Sequence, residues 1–410
     1  MKLLRNDCDR VRMRVLGRRI LLLSHPNDFE QVLVRDQASY GRSVEIRTLR
    51  PIFGEGLLSS EGEHWSRQRR IIQPSFRHDA LTNYASIMLS VIGRQTSEWR
   101  EGAVVDIHHE MMRYTRETIC TVLFGKDFLV EQTEVAEAVT TVFGNLRGEI
   151  LYLPVWRWLP SSRSRKWNRA VKFLNDVIRT TIENRRSSGA RSNDLLQALL
   201  DACDEDGTMM SDQQVHDEIL TFFLAGHETA TLGLTWAIYL LTAHPTVQEH
   251  IRREVQTTAD ETGGITPESY AKLRLTTAAV KESMRLYPPV WSMGREVVAD
   301  TVLGDQEVKK GTSVWLCLYA LQRDSRWFPA PDSFMPERWL QSTVKPFTYI
   351  PFGIGQRVCI GQHFAMTEIV LGLATILNAF RLERVTSREP KLSPWITLRP
   401  QEPILVRLSK

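Results

Sequence analysis

Cysteine is scarce in this chain, with five in 410 residues. Cys8, Cys120, Cys203, Cys317 and Cys359 are odd in number, far apart and without a Cys-x-x-Cys pair. That argues against a disulfide framework or a zinc ribbon, and it fits a reducing compartment. Long apolar runs are missing as well. The basic start, "MKLLRNDCDRVRMRVLGRRILLLSHP", has Ile20 to Leu23 as its longest apolar run. That run is too short for a secretory signal or a membrane span. The expectation is a soluble, cytoplasmic protein with no membrane anchor in this chain. The net charge is only +4 and no dense basic tract occurs, so no nucleic-acid partner is expected. Repeats, low-complexity stretches and a separating linker are also absent. What is present is 42% hydrophobic and 24% charged residues, enough for a sizeable core.

The pattern along the chain is mostly helical. Val11–Val15 and Arg19–Leu23, joined around Gly17, read as a β-hairpin. From Pro26 to about residue 290 the spacing is helix-like. Arg163–Lys172 is a basic helix start that reads as a solvated face, with a membrane or partner surface as the alternative. Ser211 fits an N-cap, and the helix it opens runs to His244 before Pro245, roughly 50 Å at ~1.5 Å per residue. Its middle is apolar on nearly every side, so it should cross the interior. A second helix ends at Tyr287 before Pro288–Pro289. Val297 to Leu318 looks strand-rich, with turns at Gly304–Asp305 and Lys310–Gly311. A third helix spans about Gly361 to Phe380. The parts read as one helix-dominated body with a smaller β region.

The stretch "FGIGQRVCIG", Phe352 to Gly361, places Cys359 just before that third helix. Unpaired N–H groups and the positive end of the helix dipole favour thiolate over thiol there. Gly353, Gly355 and Gly361 allow tight turns and close approach by something flat or bulky. Nucleophile, metal ligand and packing residue are all open readings at this point, although no histidine offers a clear base. In "LAGHETAT", Leu224 to Thr231, Ala225 and Gly226 remove bulk at mid-helix, while Glu228 and Thr229 add an acid and a hydroxyl. A buried Glu needs a partner or a purpose, and Thr can bond back to the carbonyl four residues earlier. Taken alone, the stretch also fits a kink with a satisfied polar pair. Glu282 and Arg285 in "KESMRLYPP" share one helix face, as do Trp65 and Arg69 in "EHWSRQRR". The pair His108–Glu110 lacks a second spaced metal pair, and His227 lacks a histidine four residues on, so neither reads as a metal site.

Phe352, Gly355, Arg357, Cys359 and Gly361 fit F-x-x-G-x-R-x-C-x-G, which resembles the haem-ligand signature of the cytochromes P-450. "AGHET" resembles the family's oxygen-activation groove, Glu282-x-x-Arg285 with Arg338 its buried ion-pair element, and Trp65 with Arg69 its W-x-x-x-R. The four occur in the family's order and the resemblance covers nearly the whole chain. It implies a mainly α fold with a small β region, residues 1–410 forming one domain that is N-terminally short for the family. Haem b, iron protoporphyrin IX, would lie between the long central helix and the cysteine-loop helix. By the same resemblance Cys359 is the axial iron ligand, and Arg357, Trp65, Arg69, His64 and Arg295 reach the propionates. Phe352 borders the haem. Gly226 leaves room above the iron, Thr229 holds dioxygen and ordered water, and Glu228 relays protons. Phe222, Phe223, Ala225, Val290, Trp291, Met293 and Trp395 are the implied pocket residues. Being bulky and apolar, they suit a lipophilic substrate.

The implied activity is that of a haem-thiolate monooxygenase, placing one oxygen atom of O2 into a C–H bond or C=C of a fatty-acid, terpene or polyketide type molecule. About 50 residues follow Cys359, too few for a flavin or iron–sulfur domain. Electrons are therefore expected from a separate ferredoxin or flavodoxin with its NAD(P)H reductase. Arg67, Arg69 and Arg70 are the basic cluster that could steer it. Two rivals stand beside this reading: a haem-thiolate peroxygenase or isomerase, and a haem-based sensor without turnover. The intact Glu228–Thr229 pair argues against both.

Overall fold

The computed structural model describes residues 8–125, 134, 135, 137–142, 161–189, 191–341 and 344–410. Helices of seven or more residues are numbered: α1 Gly62–Ile72, α2 His78–Ser97, α3 Ile107–Phe124, α4 Ser162–Ser188, α5 Leu195–Asp201, α6 Asp212–Ala243, α7 Pro245–Thr262, α8 Arg274–Leu286 and α9 Gln362–Ala379. The strands are β1 Arg10–Val15, β2 Arg18–Leu23, β3 Tyr40–Arg42, β4 Val104–Asp106, β5 Met293–Val297 and β6 Thr301–Leu303. They continue with β7 Gln306–Val308, β8 Ser313–Leu316, β9 Arg381–Arg384, β10 Leu392–Pro394, β11 Leu398–Pro400 and β12 Leu405–Ser409. The boundaries expected for the hairpin, the long helix, the helix before Tyr287 and the helix after Cys359 each lie within one residue of those observed. No helix among the described residues is long and apolar enough to cross a membrane.

The chain clusters into two compact units. The first comprises residues 1–43, 81–115 and 228–410 and holds every strand. Its main sheet has the order β1-β2-β8-β5-β3, with β2 parallel to β8 and the other neighbours antiparallel. Leu21 and Leu23 of β2 alternate inward, because successive strand side chains point to opposite faces. They join Phe29, Leu33, Val314 and Leu316 in one core. A β4-β12-β9 sheet and the hairpins β6–β7 and β10–β11 complete the strands.

The second unit comprises residues 44–80 and 116–227. Its α4 turns Trp167, Ala170, Leu174 and Ile178 inward and leaves Arg163, Arg165, Lys166 and Arg169 in solvent, so the basic helix start is a solvated face. Asp194 caps α5 through the Gln197 N–H at 2.9 Å and forms a buried two-pronged pair with Arg185, at 2.7 and 3.0 Å. The loop from Gly54 closes onto the start of α6. There Asp217 accepts from the Glu55 N–H at 2.8 Å and Glu218 from the Leu57 N–H at 3.0 Å. Glu218 is fully buried, and burial pushes its pKa up to about 8, with the charge of Asp217 adding to the rise against the opposing Leu57 hydrogen bond.

Candidate functional site

The long helix α6 runs about 48 Å at ~1.5 Å per residue. From Val215 to Thr242 every one of its residues is buried except Ala225, Gly226 and Thr229. Spaced i, i+1 and i+4, these three share one side of the helix. The buried stretch of the helix therefore opens one small window, at its smallest side chains and a hydroxyl. Phe222, one turn earlier, packs on Phe76 with ring centroids 5.3 Å apart, and Phe223 stacks on His227 at 6.0 Å. A Cβ placed on Gly226 would meet only the end of the Ile119 side chain, at 3.3 Å.

Glu228, beside the window, is 2% exposed. Its Oε1 accepts from the Thr397 hydroxyl and from Arg399 Nε at 2.6 Å. Thr397 sits at the tip of the β10–β11 hairpin and Arg399 in β11. Neither residue carries a local sequence signal, since both lie about 170 positions from their partner. The hairpin is pinned to the same helix by Trp236 Nε1, which donates to the Leu398 carbonyl at 2.9 Å. Trp291 Nε1 donates to the Trp395 carbonyl at 2.6 Å, so two of the expected pocket tryptophans meet. Val290 stands beside Trp291, and Met293 opens β5, opposite Leu316. His108 lies in the same neighbourhood. Burial pushes its pKa down, and Arg399 adds to this while Asp106 and Glu228 oppose it. His108 and Glu110 otherwise serve the start of α3. Asp106 caps the His108 N–H at 3.1 Å and Glu110 accepts from Gln95 and Trp99.

The cysteine loop is built on backbone. The Cys359 N–H donates to the Phe352 carbonyl at 2.9 Å and the Val358 N–H to the Gly355 carbonyl at 3.1 Å. Gly353 and Gly355 adopt φ +72° and +76°, left-handed values that favour glycine. At Gly355 the close neighbour is the protein itself: a Cβ would lie 2.3 Å from the Leu33 carbonyl oxygen. Gly361 faces open space. Cys359 is exposed, whereas Cys120 and Cys317 are buried and burial raises their thiol pKa values. Arg357 and Phe352 are half-buried in the loop.

Glu282 and Arg285 are fully buried and joined by two 2.8 Å hydrogen bonds. The segment 335–339 adds three more donors to the carboxylate: Met335 N–H at 3.1 Å, Arg338 Nε at 3.1 Å and Trp339 Nε1 at 2.9 Å. Arg285 also donates to the Gln322, Pro331 and Ser333 carbonyls. Burial works to raise the Glu282 pKa, but the hydrogen bonds and charge of Arg285, with Met335 N–H and Arg338, hold it below the ordinary value.

On α1, Trp65 is buried, and His64 and Arg69 are half-buried. His64 Nε2 is buried and has no hydrogen-bond partner among the described residues. Arg67 and Arg70 are less available than expected. Asp204 takes both, at 3.1 and 3.7 Å, and Arg67 also donates to the Thr208 carbonyl. Arg295 lies half-buried in β5, and its Nη1 donates to the Gly294 carbonyl at 2.9 Å.

A family model described as Cytochrome P450 matches residues 6–408. The chain belongs to the cytochrome P450 family. Among its relatives, cyclooctatin synthase of Streptomyces melanosporofaciens is 33% identical over 95% of this chain and 86% of its own length. Cyclooctat-9-en-7-ol 5-monooxygenase of the same organism is 32% identical over 92% and 83%. Pentalenene oxygenase of Streptomyces avermitilis is 31% identical over 91% and 84%. This cytochrome P450 is thus an oxidoreductase that incorporates oxygen from O2. Membership implies a haem-thiolate cofactor, a lipophilic substrate and a source of electrons. The residues fit such a group. An exposed thiol stands in a loop of left-handed glycines, and the long helix has an open window of small residues.

Proposed function

We propose that this cytochrome P450 places one oxygen atom of O2 into a C–H bond or C=C of a terpene-type hydrocarbon or alcohol. Residues 1–410 act as one catalytic domain, with electrons from a separate ferredoxin or flavodoxin and its NAD(P)H reductase. The observation that carries this reading is the window at Ala225, Gly226 and Thr229 with the acid Glu228 beside it. The names of the bacterial relatives, cyclooctatin synthase and pentalenene oxygenase, favour terpenes over fatty acids or polyketides.

Cys359 would hold the haem iron as thiolate, with Arg357, Trp65, Arg69, His64 and Arg295 toward the propionates and Phe352 at its edge. When bound, the haem supplies dioxygen activation, and thiolate ligation favours O–O cleavage. The protein supplies space, orientation and protons. Ala225 and Gly226 leave room at the window, and the Thr229 hydroxyl offers a hydrogen bond there. Glu228 is the proton donor. Thr397 and Arg399 hold its carboxylate in place through Oε1. Phe222, Phe223, Val290, Trp291, Met293 and Trp395 exclude water and bind the apolar substrate.

The test begins with the carbon monoxide difference spectrum of the reduced protein. A strongly red-shifted Soret band that Cys359→Ala abolishes is expected, and a histidine-like spectrum overturns the assignment. Cyclic terpenes, fatty acids and polyketides are then compared by spin-state shift and by product formed with ferredoxin and reductase. Turnover with peroxide alone, and none with reductase, would instead establish a peroxygenase.

A further inference from the structure

The β1–β2 hairpin ends in an exposed apolar tip with an arginine collar. Leu16 is 82% exposed, more than any other large hydrophobic residue among those described, and Val15 beside it is 41% exposed. The loop has two residues, Leu16 at φ +49° and Gly17 at φ +80°, between the paired Val15 and Arg18. Such a turn favours asparagine, aspartate or glycine at its first position. A leucine there carries local strain and hides no surface, so folding does not explain it.

Charge is arranged around it. Arg14 stands directly opposite Arg19 in the ladder, a cross-strand pairing of like charges that is unfavourable in water. Arg12, Arg14, Arg18 and Arg19 are all exposed, and among the described residues no carboxylate forms an ion pair with any of them. Arg12 and Arg19 instead donate to the Glu307 and Lys310 carbonyls. The acids nearby are already engaged. Asp305 pairs with Arg10 at 2.7 Å, and Asp300 and Glu307 pair with Lys309 at 3.3 and 3.2 Å. Asp300, whose carboxyl also feels Arg19, is further held by the Lys310 N–H. By contrast Arg10, at the root of β1, is neutralised by both Asp28 and Asp305. The hairpin is therefore paired at its base and left cationic at its end.

We propose that this tip docks peripherally on an anionic lipid surface, with Leu16 and Val15 entering the headgroup–acyl boundary and Arg12, Arg14, Arg18 and Arg19 meeting lipid phosphates. An apolar point ringed by unneutralised cations suits that interface, where each exposed arginine strengthens association about fivefold. The docking is independent of the catalytic reading.

The test uses the full chain with its haem, sedimented with vesicles of phosphatidylcholine alone or mixed with phosphatidylglycerol. Binding is expected only to the mixed vesicles, to fall with salt, and to weaken about fivefold for Arg14→Gln or Arg18→Gln. Leu16→Asp should weaken it further. Leu16→Asn separates binding from folding, because asparagine suits the turn: thermal stability holds or rises while vesicle binding drops. Equal binding by wild type and Leu16→Asn, or no binding of the wild type to mixed vesicles, overturns the proposal. If instead the arginine variants leave vesicle binding unchanged and slow reduction by an acidic redox protein, the patch docks protein and the lipid reading falls.

Discussion

At the scale of single residues, Glu228 is the most informative. Glu228 was legible as an acid in an apolar helix, but its holders were not, because strand residues that converge on a helix leave no spacing in the sequence. On the proposed role, Glu228→Gln should slow product formation on the order of 100-fold, while substrate spin-state titration changes little. Arg399→Leu should send several-fold more electrons to peroxide or water per product, and Arg399→Lys should restore part of the coupling. Unchanged coupling in Arg399→Leu would remove it from the relay while leaving Glu228 to be judged by its own variant. Gly355 shows the opposite balance. Its glycine was visible in the motif, yet the reason is the Leu33 carbonyl 2.3 Å from where a Cβ would sit, together with φ +76°. Gly355→Ala should cost about 1–3 kcal/mol of stability, read by thermal unfolding, and should speed haem loss.

At the scale of elements, α6 was read closely from its N-cap side and from Pro245, and the structure places it at Asp212–Ala243. The window was only half legible. Small residues at mid-helix announced lost bulk, but burial is set by neighbours that are distant in sequence. Since a Cβ on Gly226 meets only the Ile119 side chain, at 3.3 Å, Gly226→Ala should fold with a small shift of Ile119. It should nevertheless weaken binding of a bulky substrate by about tenfold, measured by spin-state titration with the unfolding temperature as control. The Glu282–Arg285–Arg338 cluster was legible as a motif, and Trp339 was the addition. Glu282→Ala leaves the buried Arg285 uncompensated and should destabilise by about 3–5 kcal/mol, visible as lost haem retention and lower unfolding temperature.

At the scale of the whole molecule, two buried acids set the pH response of stability. Glu218 is pushed up to about 8 and Glu368 well above its ordinary value, both chiefly by burial. Each binds a proton in the folded state that the unfolded chain releases above about 4.5, its ordinary value. The folded state thus holds more protons, and their contribution to stability declines as pH rises from about 4.5 toward the folded pKa, about 8 for Glu218. Unfolding temperature should therefore fall between pH 6 and pH 8, and Glu218→Gln should flatten that slope. An unchanged slope would place Glu218 in contact with solvent. The helical content and the small β region were readable from periodicity and turn residues. The engagement of Arg67 and Arg70 by Asp204 was not, because an acidic loop so distant in sequence gives no hint of where it folds back.

The β10–β11 tip has a consequence for anyone remodelling this enzyme. Trp395, an expected pocket residue, and Thr397, which donates to the proposed proton donor Glu228, are two positions apart on one tight turn. A library that randomises the tip to change product profile also randomises proton supply. Variants scored by substrate consumption alone will include many that waste reductant. Screening should record peroxide beside product, and libraries that vary Trp395 while keeping Thr397 and Arg399 should yield the larger share of well-coupled catalysts.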